Sequence, residues 1–275
     1  MRETHQTYRE RRPVQALGRH VSCIWVQEVA PDSAPYEHRT VPNGGIEIAC
    51  TLGSLPRVVG PQSGPTVEIL APGTVVVGVR FHPGAAPPLL GLPASELVDL
   101  AVGAEELLGP WAIALGEKLA AAASPREAAA ALEAELLARA VVAERPDPLV
   151  NETVLALFPW RGIDVGALPS ALYISERQLR RRCTEAVGFA PKALQRMLRF
   201  QGFLALAQGR ERTGPELAQL AAEAGYADQP HLTRESVRLA GLPPAALLRE
   251  SDHNCGEAHD HTPSYGPLLR FRATG

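Results

Sequence analysis

The 275-residue sequence predicts an α+β chain of two domains, a small β-barrel or sandwich with accompanying helices followed by an all-α domain with two helix-turn-helix units. Three observations predict this. Short runs rich in Val, Ile and Thr, separated by Gly and Pro clusters, fill residues 20–82. Helical periodicity fills residues 149–250. Within that second region, residues 171–194 match 224–247 at an offset of 53, with eight of 24 aligned positions identical. The identical pairs are Ala171/Ala224, Tyr173/Tyr226, Leu179/Leu232, Arg181/Arg234, Gly188/Gly241, Pro191/Pro244, Ala193/Ala246 and Leu194/Leu247.

Strands are expected at 20–29, 46–52, 57–60, 66–70 and 74–81. They are punctuated by Pro42-Asn43-Gly44-Gly45, Gly60-Pro61, Gly64-Pro65 and Pro72-Gly73. After Pro83-Gly84 the Ala/Leu/Glu-rich stretches 111–123 and 127–143 read as helices. Ser124-Pro125-Arg126-Glu127 is a capping box with Pro at the first helical position. These two helices are expected to form a hairpin or pack on the strands, and their Ala/Leu stripes could also serve as the seam of a homodimer. Arg145-Pro146-Asp147-Pro148 is the expected linker. It divides an effector-binding or dimerisation domain, 1–145, from a helical domain, 149–250. The polar residues 251–275 are expected to form a flexible tail.

Composition limits the function classes. No apolar run reaches the length of a membrane span, and the first residues carry no secretory h-region. Four cysteines without a CxxC fit a reduced, cytoplasmic chain with no membrane partner. The net charge of −3 conceals an asymmetry. Residues 1–159 hold 12 Lys/Arg against 18 Asp/Glu, net −6, whereas 160–200 hold 8 against 3, net +5. An acidic half joined to a basic stretch suggests a regulatory domain attached to an anion-binding one.

Each repeat reads as helix, turn, capped second helix, Gly turn and a Pro-initiated helix. In a helix-turn-helix the second helix enters the major groove. At 100° per residue, Leu179, Cys183, Ala186 and Val187 fall on the inner side of the first reading helix. Arg177, Arg181 and Thr184 point outward there, flanked by Gln178, Arg180 and Arg182. In the second, Leu232, Ser236 and Leu239 point inward and His231, Arg234 and Arg238 outward, with Gln229 and Thr233 near the start. Arginine bonds two acceptors of guanine at once, so this face suits double-stranded DNA. Residues 201–250 carry net −1, five Lys/Arg against six Asp/Glu, so the first unit is expected to dominate affinity.

The segments Ser175-x3-Leu179-x-Arg181 and Gly188-x2-Pro191 recur as Gly225-Tyr226-x-Asp228-Gln229-x-His231-Leu232-x-Arg234 and Gly241-x2-Pro244. Together they resemble the AraC/XylS family of bacterial transcription regulators over about residues 160–250. The resemblance implies seven helices, with the two units joined by a long helix at about 191–208. It implies a promoter or operator as the DNA partner, and RNA polymerase as a further partner if the protein activates. Carried over by position, the base readers are Arg177, Arg180 and Arg181 in the first unit and Gln229, His231, Thr233 and Arg234 in the second. Ser175 and Gln178 lie at a helix start whose amides would meet phosphate. Cys183 and Ser236 stand where the family usually has an aromatic core residue. Pro169 is expected to break a backbone bond inside the first helix of the first unit, and Pro230 to be tolerated in a first turn.

Tyr8-Arg9-Glu10, Cys23-Ile24-Trp25, Pro42-Asn43-Gly44 and the stretch 78–86 resemble the cupin-like β-domain found in front of such units. That resemblance implies a domain that binds a small effector, dimerises, or both. Trp25, Asn43, Glu47, Arg80 and His82 are its candidate effector contacts; the alternative is that they are rim or core residues with satisfied partners. His38 and His82 stand apart, so neither metal nor other cofactor is expected. Asp252, His253, Cys255, His259 and His261 are metal-ligand types at a spacing that matches no closed site. Cys183, among arginines, reads as a redox handle or a small core residue. No catalytic motif supports an enzyme. The competing function is a cupin-like small-molecule or metal-binding protein whose helical domain is a degenerate interaction module. Pro169, Ser236 and the net −1 of residues 201–250 motivate it.

Overall fold

The computed structural model describes residues 5–208, 216–255 and 259–272. The N-terminal strands are β1 (Gln6–Arg11), β2 (Val21–Val29), β3 (Tyr36–Thr40), β4 (Glu47–Thr51), β5 (Arg57–Val59), β6 (Thr66–Leu70), β7 (Val75–Phe81) and β8 (Ala101–Gly103). A ninth, β9 (His259–Asp260), arrives from the C-terminal tail. They form a seven-stranded sheet in the order β8-β5-β4-β7-β2-β1-β9 and a facing ribbon, β3-β6. All pairs are antiparallel except β1 with β9.

Both faces of the large sheet are buried, which is why its inner strands read as near-continuous apolar runs. One face, with Ile24, Ile48, Val58, Val77, Val79 and Phe81, packs under Ala128, Ala129, Leu132 and Leu136. The other face carries Tyr8, Cys23, Trp25, Ala49 and Val76 and meets Tyr36 and Leu70 of the ribbon. Helices α1 (Pro87–Leu90), α2 (Ala104–Leu108), α3 (Pro110–Ala120) and α4 (Pro125–Val142) follow the strands. The α4 cap forms as expected, with the Glu127 N–H donating to Ser124 Oγ at 3.2 Å. The pair packs within the chain, with α3 on α4 and α4 on β2 and β7.

The C-terminal domain contains α5 (Pro148–Ala156), α6 (Leu168–Ala171), α7 (Glu176–Val187), α8 (Pro191–Ala207), α9 (Glu216–Glu223), α10 (Gln229–Ala240) and α11 (Pro244–Cys255). The first unit encloses Val154, Leu168, Leu179, Cys183, Val187 and Leu198. The second encloses Phe200, Phe203, Leu220, Tyr226, Leu232 and Leu239.

Two expectations are corrected. Pro169 breaks nothing, because α6 begins at Leu168 and places the proline in its first turn, where no intrahelical donor is needed. Nor is the described part of the tail a flexible one. Residues 251–255 continue α11, His259–Asp260 pair with β1, and α12 (Thr262–Leu269) lies on α8 and β1. Burial of Pro263 and Leu268, with the His261 ring stacked on Tyr8 and Tyr265, holds this segment. Of the tail's metal-ligand types, Asp252, His253 and Cys255 fall in α11, His259 in β9 and His261 at the start of α12. Among the described residues, no group of three or more His, Cys, Asp or Glu is placed to hold a metal ion.

Candidate DNA interface and ligand cavity

The 53-residue repeat is a structural repeat. α7 and α10 are each 12 residues long and begin and end at equivalent positions. Ser175 caps α7 by accepting from the Gln178 N–H, and Asp228 caps α10 by accepting from the equivalent His231 N–H at 2.6 Å. Gly188 and Gly241 close the helices in the left-handed region, at φ 87° and 76°. Pro191 and Pro244 then open α8 and α11. The turns before the reading helices differ. The first passes through Tyr173, at φ 55° and 95% exposed, and the second through Gly225, at φ 79°, with Tyr226 buried.

The outer faces differ as well. On α7, Ser175, Arg177, Gln178, Arg180 and Arg181 are all exposed. Arg177 and Arg180 form no ion pair among the described residues, and Arg181 approaches only Glu185, at 3.5 Å. Arg182 is committed elsewhere, to Asp147 at the cap of α5, 2.8 Å away. On α10, Gln229 and Arg234 are exposed. His231 is half-buried edge-on to Tyr226, and the Thr233 hydroxyl donates back to the Gln229 carbonyl at 3.0 Å. Below these faces Cys183 and Ser236 are fully buried. Burial pushes the Cys183 thiol up to about 11, so it is a packed thiol and not a thiolate handle. Ser236 donates to the Leu242 carbonyl at 2.7 Å, which satisfies its hydroxyl inside the core.

Between the large sheet and the ribbon lies a cavity of about 390 Å³. Register explains its shape. Gly78 stands opposite Trp25 on one side and Ala49 on the other. A Cβ on Gly78 would overlap the Trp25 indole, so the ring lies across the sheet where larger residues would lift it. On the ribbon, His38 pairs with Glu68 and Thr40 with Thr66, and all four side chains line the cavity. Arg57 bridges to Glu68 across a half-exposed side. Three atoms of cavity-lining residues are buried without a partner: Trp25 Nε1, Gln27 Oε1 and His38 Nδ1. Burial lowers His38, which keeps its ring neutral.

Of the sequence-derived effector contacts, Trp25, Asn43 and Glu47 line this cavity, and Arg80 and His82 do not. The Arg80 guanidinium is spent on Glu47 at 2.7 Å and Glu10 at 3.0 Å, in a buried network with the Tyr8 hydroxyl. His82 is half-buried beside the Gly18 backbone and His20. With Asn43, both line a separate crevice of about 60 Å³ against Leu198, Gln201 and Leu268. Sequence reasoning missed Gln27, His38, Arg57 and Glu68. The period-two alternation Tyr36, His38, Thr40 was the available signal for the ribbon.

Cavity wall and DNA-binding units touch. Gln201 on α8 donates to the Pro42 carbonyl at 2.9 Å, and Pro42 lines the cavity. Gly44 abuts Leu194, Gly188 abuts Pro61, and Gly241 abuts Pro65. Arg39 bonds the Ala240 carbonyl at 3.3 Å and Glu250 at 2.7 Å.

Residues 168–250 match the helix-turn-helix domain family, and residues 9–103 match a domain family of unknown function (DUF6597). No curated protein matches the chain. Among solved structures, an apo form of ToxT from Vibrio cholerae is 12% identical, covering 90% of this chain and 99% of that one, with a TM-score of 0.47. Unsaturated fatty acid-bound wild-type ToxT from the same organism is 12% identical, covering 95% and 100%, with a TM-score of 0.44.

Proposed function

We propose that this chain, a DNA-binding transcription regulator with an AraC-type helix-turn-helix domain at residues 168–250, reads DNA chiefly through α7 and is governed by a small molecule in its β-domain cavity. The observation that carries the reading of DNA is the pair of helices 53 residues apart, capped at equivalent positions, the first bearing Arg177, Arg180 and Arg181 unburied. The N-terminal residues of such a helix reach base edges, where Arg gives both phosphate attraction and guanine discrimination. On α10, Gln229 and Arg234 are the readers, supplemented by His231 and Thr233. Ser175 and Gln178 position the start of α7 against phosphate.

Control by a ligand is supported by the shared wall. The segments 41–45 and 60–66 border the cavity and also abut α8, the residue closing α7 and the residue closing α10. A molecule that reorders these segments has differential contacts with both units, which is what coupling requires. The protein acts in the cytoplasm, and a homodimer would use the β-domain or the exposed side of α3 and α4. Among the described residues no helix is long and apolar enough to cross a membrane.

The test is capture of sheared genomic DNA at about 150 mM salt, where phosphate contacts alone are weakened. A recovered site with two half-elements about 10 base pairs apart supports use of both units. A single half-element assigns base reading to α7 alone. Absence of any shared site, with or without cell extract added, overturns the reading.

A further inference from the structure

We propose that the cavity between the large sheet and the β3-β6 ribbon takes an uncharged polar ring compound, of the size of a nucleoside or a methyl glycoside, rather than a carboxylate or an amine. This rests on the cavity being the effector site and adds the chemistry of the effector.

Two of the three carboxylates in the cavity lining are paired with cations, and the third, Asp99, is exposed and held by neutral donors. Glu47 accepts from Arg80 Nε at 2.7 Å and faces Asn43 Nδ2 at 3.4 Å. Glu68 is paired with Arg57. Asp99 accepts from the Ser63 N–H at 2.6 Å and the Ser63 hydroxyl at 2.7 Å. An entering carboxylate would face these three carboxylates, and the one arginine of the lining is held by Glu68. An entering ammonium would find Glu47 and Glu68 already paired with arginines, and Asp99, which has no cation, is exposed to water, where an ion pair gains little. A charge taken out of water needs an unspent opposite charge, and the buried part of the lining offers none to either sign.

What the lining does leave open is uncharged. Trp25 and Gln27 are 6% and 1% exposed, yet Trp25 Nε1 and Gln27 Oε1 have no partner, and neither does His38 Nδ1. Buried polar atoms are rarely left unpaired, and three around one cavity call for a ligand that completes them. Trp25 Nε1–H only donates, so the ligand must present an acceptor there. Gln27 Oε1 only accepts, because its own Nε2 donates to Gln6 at 2.6 Å, so the ligand must present a donor. The indole, Leu70, Val76 and Ala49 supply the apolar contact that a ring face needs. An acceptor and a donor on a compact frame with an apolar face describe a nucleoside or a glycoside.

The experiment measures thermal shift and calorimetric binding on the full chain with three probe sets: nucleosides with methyl glycosides, oleate, and spermidine. At least one neutral probe is expected to bind, and oleate and spermidine are not. Trp25→Phe, which removes the indole donor while keeping an aromatic ring, and Gln27→Met are each expected to weaken the neutral probe roughly three- to tenfold. Silence of the neutral set overturns the proposal, as does oleate or spermidine binding that Trp25→Phe weakens. DNA capture on the same preparation separates the two readings. Intact capture with a silent neutral set sinks the ligand class alone. Lost capture with a neutral probe bound sinks the regulator reading alone.

Discussion

Gln201, in the helix that joins the two DNA-binding units, donates its side-chain amide to the carbonyl of Pro42, 159 residues earlier in the chain and on the rim of the ligand cavity. The bond is buried and also approaches the Val41 carbonyl, at 3.4 Å. It is the most direct polar link between the element that sets the spacing of the reading helices and the segment that a bound ligand would touch.

Replacing it tests the coupling. Gln201→Leu leaves the Pro42 carbonyl without this donor in a dry contact, which should cost about 1–2 kcal/mol in urea unfolding. Loosening α8 from the β-domain should also change ligand-free DNA affinity by at least about threefold, roughly 0.6 kcal/mol. Destabilisation with an unaltered DNA titration would make the contact structural only.

The reading helices should respond unequally. Arg181→Ala is expected to weaken specific binding by roughly 1–3 kcal/mol and to relax selectivity at one base position, with Arg180→Ala similar. Arg234→Ala should cost less, because α10 presents fewer cations and its Thr233 hydroxyl is turned onto its own helix. Arg182→Ala should leave specificity intact, since that side chain is engaged with Asp147. Competition titrations at about 150 mM salt report all four. Equal losses for Arg181→Ala and Arg182→Ala would remove the assignment of α7 as the selective reader.

The DNA-binding domain was legible because its signals are local. Ser175, Gly188 and Pro191, repeated as Asp228, Gly241 and Pro244, are caps and stops that work the same way in any context. The apolar strands were legible for a similar reason. β1, β3 and the tail were not. Gln-Thr-Tyr-Arg-Glu-Arg and Tyr-Glu-His-Arg-Thr carry charges that only their partners neutralise, and β9 is a strand only because β1 offers an edge. Trp25, Asn43 and Glu47 were found from residue type and strand position. Gln27, His38 and Glu68 needed the ribbon, which exists only through pairing across 25 residues of chain or more. Arg80 looked like a ligand contact because nothing in the sequence announces that Glu10 and Glu47 will hold it.

Gly78 supplies a test of the cavity floor. Any Cβ there overlaps the Trp25 indole, so Gly78→Ala must displace the ring or the strand. We expect a loss of about 1–3 kcal/mol in unfolding experiments, typical of overpacking, and loss of whatever binding the cavity supports. A variant as stable as the parent would show that the indole has room to move, and the floor would then not be fixed by register.

The tail provides a pH dependence with a definite sign. Burial, with His261 and His38 nearby, lowers His259 to about 3. Its Nε2 lies 2.6 Å from Gln6 Oε1, an acceptor, so Nε2 carries the proton and Nδ1 is the atom that must take a second one. Nδ1 is buried without a partner, so protonation there is unsatisfied. A base with a folded value below its unfolded one, near 6.5, stabilises the fold fully above pH 6.5. That contribution is lost as pH falls from 6.5 toward 3, by at most about 1.4 kcal/mol per pH unit. Glu10 acts in a lower window. Burial would raise it, but His261, Arg80 and the Ser264 N–H outweigh burial and hold it at about 2. Its share is present above about 4.5 and disappears only toward pH 2. Between pH 7.5 and 5 histidines act rather than Glu10; burial lowers His20, His38 and His82 as well, but these sit in the β-domain, and β9 with α12 is the segment that protonation of His259 should release. Hydrogen exchange at residues 259–269, corrected for intrinsic rate, should accelerate over that range ahead of β2 and β7. His259→Gln, which keeps a donor toward Gln6 and cannot charge, should abolish the acceleration. Equal acceleration in parent and variant would mean that another group releases the tail.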